Sequence, residues 1–74
     1  VHGCTIEDKV LVGMGAIIMD GAVIGSESII AAGAIVTQNT IVPPRKIYAG
    51  NPAKFLKNIT PEIEEVFMRT ANNY

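Results

Sequence analysis

From Ile6 to Tyr48 a bulky apolar residue returns at every sixth position: Ile6, Val12, Ile18, Ile24, Ile30, Val36, Val42 and Tyr48. Two positions earlier stands a mostly small side chain: Cys4, Ala16, Ala22, Ser28, Ala34 and Thr40, with Val10 the larger exception. A period of six matches neither the 3.6 of an α-helix nor one half-buried strand between irregular turns. Six is a multiple of the two-residue strand period, so every marked side chain can face the same side of an extended segment. The pattern therefore predicts an all-β solenoid, a parallel β-helix whose hexapeptide units stack because none can bury its apolar face alone. Within one unit Val10 and Val12 point inward and Leu11 outward, and Gly13, Met14 and Gly15 carry the chain round a corner. Small residues beside large ones suit a narrow tube, which two bulky rows would overfill. A helical reading of Ala31 to Val36 fails because the six-residue period runs through it and β-branched residues dominate.

Corners call for tolerant backbone. Gly15, Gly21 and Gly33 recur where positive φ is expected, and Asn39 is the next most tolerant choice. Lys9, Glu27 and Arg45 occupy the same phase and do not fit this account.

A second apolar row, Leu11, Ile17, Val23, Ile29, Ile35, Ile41 and Ile47, falls between the inward positions and faces outward. Aliphatic residues on all three faces of a lone tube are unusual. They predict that the C-terminal segment covers one face and a neighbouring subunit another, as threefold closure allows. Outward β-branched residues expressing only strand propensity are the plainer alternative.

The repeat ends at Gly50-Asn51-Pro52, which divides the chain into residues 1–50, coils of a parallel β-helix, and 51–74, a helical tail packing on them. Asn51 and Pro52 suit a cap and first position of a short helical turn through Lys57. Thr60-Pro61 repeats that arrangement ahead of an amphipathic helix. Its apolar stripe carries Ile63, Val66, Phe67, Thr70 or Ala71, and Tyr74.

Seventy-four residues make one small domain, marginal by size alone. The repeat opens in phase at Val1, and a bare first coil would leave unpaired strand edges. The chain thus reads as the C-terminal part of a longer protein. The formal charge is −1 and the six Lys and Arg residues read as scattered, with no basic stripe for nucleic acid. No apolar run is long enough to span a membrane, and one cysteine, Cys4, allows no internal disulfide. Cys4 falls at a small inward position and reads as core. Asp8 and Asp20 stand at turns, where short carboxylates bond local backbone. Tyr48 reads as closing the last coil.

His2-Gly3-Cys4-Thr5-Ile6, Val12-Gly13-Met14-Gly15-Ala16, Asp20-Gly21, Ala31-Ala32-Gly33 and Gly50-Asn51-Pro52-Ala53-Lys54 together resemble the γ-class carbonic anhydrase and carbonic-anhydrase-like hexapeptide-repeat family. Phe55-Leu56 and Ala71-Asn72-Asn73-Tyr74 resemble its branch of mitochondrial complex I subunits and α-proteobacterial relatives. The resemblance implies a left-handed parallel β-helix with a C-terminal α-helix, a trimer of like subunits, and zinc at each subunit interface. It matches His2 to one of three histidine ligands, with the other two before Val1. One imidazole does not suffice, because a catalytic zinc takes three protein ligands and an open position. The implied activity is reversible hydration of carbon dioxide to bicarbonate, in the bacterial cytoplasm or on the mitochondrial matrix side. Two readings compete with it: a non-catalytic scaffold subunit in a larger mitochondrial assembly, and an acyltransferase, which the His-Gly-Cys motif disfavours.

Overall fold

The computed structural model describes residues 3–72. Seven two-residue strands recur at the predicted six-residue spacing: β1 (Thr5–Ile6), β2 (Leu11–Val12), β3 (Ile17–Ile18), β4 (Val23–Ile24), β5 (Ile29–Ile30), β6 (Ile35–Val36) and β7 (Ile41–Val42). Two longer strands, β8 (Lys46–Ala49) and β9 (Lys54–Asn58), and one helix, α1 (Pro61–Asn72), follow.

Strands β1 to β5 each pair in parallel with the strand three further along, so Thr5 lies beside Val23 and Val23 beside Ile41. Three sheets result, in the orders β1-β4-β7, β2-β5-β8-β9 and β3-β6. The chain thus visits three sheets in turn and returns to the first at every third strand, as Ile6 against Ile24 and Val12 against Ile30 show. The expected inward rows form the core. Ile24, Ile30 and Val36 are fully buried, as are the small residues Ala22, Ser28 and Ala34. Ser28 is the polar exception; its hydroxyl donates to the Pro43 carbonyl at 2.9 Å and accepts from the Lys46 N–H at 3.4 Å. At the first coil, inward Ile6 and Val12 remain 42% and 39% exposed. Of the outward row, Ile17 and Ile41 are exposed and Leu11, Val23, Ile29, Ile35 and Ile47 are half-buried.

The corners correct one expectation. Positive φ occurs at Gly15, Gly21, Gly33 and Asn39 as anticipated, also at Gly3, and equally at Lys9 (59°), Glu27 (61°) and Arg45 (59°). Stacking overrides residue preference at Glu27 and Arg45, whose corner N–H groups meet a carbonyl of the preceding coil. Glu27 N–H donates to Asp8 O at 2.9 Å and Arg45 N–H to Ser26 O at 3.0 Å. Each such residue costs roughly 1–2 kcal/mol relative to ordinary backbone.

The segment after Pro52 is the second correction. It forms strand β9, antiparallel to β8, where a short helical turn through Lys57 was expected. The free edge of β8 offers the hydrogen bonds that a strand can accept and a helical turn cannot. Phe55 gains an edge-to-face contact with Tyr48, with ring centroids 6.3 Å apart. Ala53 is buried and its N–H donates to Ile35 O at 2.8 Å, so the last coil is closed from below.

The helix α1 begins as expected: Ile63 N–H donates to Thr60 Oγ1 at 3.3 Å and Glu64 N–H to Thr60 O at 2.8 Å. Its first turn meets the coils through Arg45 and Glu64, 2.8 Å apart. Packing of its apolar stripe along the coils is not observed at Val66, which is 59% exposed. The side chains of Phe67, Thr70, Ala71 and Tyr74, expected on the same stripe, lie outside the described part of the structure.

Candidate functional site

The motif residue His2 lies outside the described residues; its chain neighbours define the edge that it adjoins. Gly3 has φ 64°, a conformation glycine takes at little cost. Its carbonyl accepts the Gly21 N–H at 2.9 Å, which locks this corner to the next coil. The strand register brings Gly21 beneath Gly3, and Asn39 one coil further. Asp20 Oδ1 lies 3.5 Å from where a Gly3 Cβ would stand, and the Asp20 carbonyl accepts the Asn39 N–H at 3.1 Å. Asn39 Oδ1 occupies the space that a side chain on Gly21 would need.

Cys4 is half-buried against the core cluster, as its inward phase predicts. Tyr48 packs against the same core and Phe55. Asp8 lies on another edge, its carbonyl taken by Glu27. Among the described residues no group of three His, Cys, Asp or Glu side chains could hold an ion. Among the described residues no helix is long and apolar enough to cross a membrane.

Sequence reasoning missed two further features. Arg45 donates to Glu27 Oε1 at 3.3 Å and to Glu64 Oε2 at 2.8 Å. Those hydrogen bonds, then the opposite charges, raise the Arg45 pKa and hold the Glu64 carboxyl below its ordinary range. The available signal was the alternation of charge at Lys9, Glu27 and Arg45, which hold equivalent places in successive coils. The second is the β8–β9 hairpin, which gathers Lys46, Lys54 and Lys57; Lys46 Nζ lies 5.8 Å from the centre of the Phe55 ring.

Residues 3–38 match the bacterial transferase hexapeptide (six repeats) family. The whole chain is 45% identical over 74 residues to mitochondrial gamma carbonic anhydrase 2 of Arabidopsis thaliana, spanning 27% of that protein. Over 62 residues, 84% of this chain, it is 63% identical to the probable carbonic anhydrase of Methanocaldococcus jannaschii, covering 39% of it. The chain belongs to the γ-carbonic-anhydrase-like hexapeptide-repeat family. Among solved structures, a hexapeptide transferase family protein from Anaplasma phagocytophilum superposes with a TM-score of 0.87 at 42% identity, over 96% of this chain and 43% of that one. The γ-carbonic-anhydrase-like segment thus spans about a quarter to two fifths of the curated relatives above. The repeat is common ground between named carbonic anhydrases and transferases.

Proposed function

We propose that this chain forms part of a γ-carbonic-anhydrase-like protein that reversibly hydrates carbon dioxide to bicarbonate. The observation that carries the reading is the His2-Gly3-Cys4 motif in a chain 45% identical over its full length to a named γ-carbonic anhydrase. The coils turn left-handed, and three like subunits close around a threefold axis. His2 is one zinc ligand; the others come from polypeptide outside this segment, in the same subunit and its neighbour. His2 and those outside ligands would hold a zinc, which when bound would supply a water activated near neutral pH. This segment's own contribution is the rigid edge: Gly3 held by Gly21, and the Asp20 carboxylate alongside, support the residue before them. The exposed outward residues Ile17 and Ile41 supply apolar surface for the subunit contact. Its setting is the mitochondrial matrix side or the bacterial cytoplasm.

A second reading keeps the trimer and drops the chemistry: a scaffold subunit in a larger mitochondrial assembly. It is supported by the resemblance of Phe55-Leu56 and Ala71-Asn72-Asn73-Tyr74 to the branch of mitochondrial complex I subunits. Stopped-flow carbon dioxide hydration on the full-length protein separates the two. The enzyme reading predicts zinc-dependent turnover that His2→Ala reduces by at least a hundredfold. Full-length, zinc-loaded trimer without turnover would establish the scaffold reading instead.

A further inference from the structure

The register divides the positive-φ residues among three edges of the stack. Two edges use the residues best suited to that backbone: Gly3, Gly21 and Asn39 on one, Gly15 and Gly33 on another. The third uses Lys9, Glu27 and Arg45, three long charged side chains in a conformation that glycine would adopt more cheaply. Coil building does not require charge there, since glycine serves at the other edges. Unfavourable backbone retained at one place points to a task for the side chains.

The charges alternate along this edge, and α1 adds the next one. Arg45 lies between Glu27, at 3.3 Å, and Glu64 of α1, at 2.8 Å. The Glu64 carboxyl is held low first by its hydrogen bond from Arg45, and more weakly by the charge of Lys9 at the far end of the column. The backbone of the same corner anchors the approach to the helix. Arg45 O accepts the Ile59 N–H at 3.0 Å, and the Ile59 side chain is buried. Two independent ties thus converge on one residue, and beyond the first turn Val66 is exposed.

We propose that Arg45 is the latch that fixes the first turn of helix α1 to the coils, braced by Glu27 on the same Lys9–Glu27–Arg45 edge. The backbone tie at Ile59 sets where the chain leaves the stack, and the Arg45–Glu64 tie sets the direction in which the helix departs. Releasing the second tie frees the helix while the coils stay closed.

Hydrogen exchange on the full-length protein, at fixed protein concentration, tests this with two variants. Arg45→Gly removes the latch and leaves a residue suited to the corner; Glu64→Gln removes the helix carboxylate that Arg45 holds, without touching the corner. Both are expected to speed exchange in the segment 61–66 about two- to fivefold, the range of an exposed ion pair. The coil segment 18–36 should keep its protection. Unchanged exchange of the helix in Glu64→Gln would overturn the proposal, whatever Arg45→Gly does. Equal loosening of coils and helix in Glu64→Gln would overturn it as well.

Discussion

Replacing Gly25 with alanine should destabilise the protein more than the same change at Gly15, although only Gly15 has the backbone conformation usually held to demand glycine. A Cβ on Gly25 would stand 2.5 Å from Pro44 N and 2.8 Å from Pro43 C and Pro44 Cδ. These are backbone and ring atoms of the next coil and cannot rotate aside. The coils cannot part cheaply either, because Gly25 N–H donates to Val42 O at 2.7 Å. Overpacking of this kind costs about 1–3 kcal/mol. A strained hydrogen bond adds about 1 kcal/mol, while the stiffer unfolded chain returns about 0.4–1 kcal/mol. The net loss is therefore about 1–3.5 kcal/mol, with a middle value of about 2. At Gly15 an added Cβ meets nothing within 4 Å, and the cost is confined to the positive φ of 76°. That is about 1–2 kcal/mol, reduced by the same unfolded-chain gain of about 0.4–1 kcal/mol, and Lys9, Glu27 and Arg45 sustain such backbone elsewhere in the same fold. Chemical denaturation of the full-length protein and both variants, at one protein concentration, gives the two losses. A Gly15→Ala loss equal to or larger than that of Gly25→Ala would refute the close-approach argument.

Other substitutions probe the corners and the core. Lys9→Gly should raise the denaturation midpoint, with a gain of up to about 1 kcal/mol from relief of the strained backbone; a lowered midpoint would mean that Lys9 contributes more through its charge. Ser28→Ala should cost about 1–3 kcal/mol by leaving the Pro43 carbonyl without its hydroxyl donor, even though alanine fills the equivalent positions 22 and 34. A loss near zero, measured the same way, would show that this hydrogen bond does not matter. Glu64 titrates below its ordinary 4.5 when folded, chiefly because Arg45 donates to it. Its contribution is therefore complete above that value and is lost as pH falls through the lower folded pKa. Comparing denaturation midpoints of the native protein and Glu64→Gln across pH 2–7 should give curves that converge at low pH; parallel curves would contradict the assignment.

Much of the fold was legible because one constraint dominates it. In a tube where β1 to β8 each stack on a strand three places away, Ile24, Ile30, Val36 and Val42 must turn inward together, and all four are buried. No local propensity can move one of them without breaking the register of the rest. What escaped sequence reading was decided by contacts between coils. Lys9, Glu27 and Arg45 take positive φ because the stack imposes it, against their own preference. The segment 54–58 has the start signals of a helix in Asn51-Pro52, yet the unpaired edge of β8 and the ring of Tyr48 draw it into a strand. The exposure of Val66 could not be read from periodicity, which identifies an apolar stripe but not what covers it. The candidate site was legible only as a motif. His2 is one histidine, and nothing in its spacing to other residues of this chain supplies the remaining ligands.

The central functional claim is tested most directly by anomalous X-ray scattering at the zinc edge, on crystals of the full-length oligomer prepared without chelator. The account predicts a peak beside His2, shared with histidines from polypeptide outside this segment, in the same subunit and across the interface. A well-ordered His2 with no peak next to it would contradict the zinc site and leave this edge a structural remnant of the family fold.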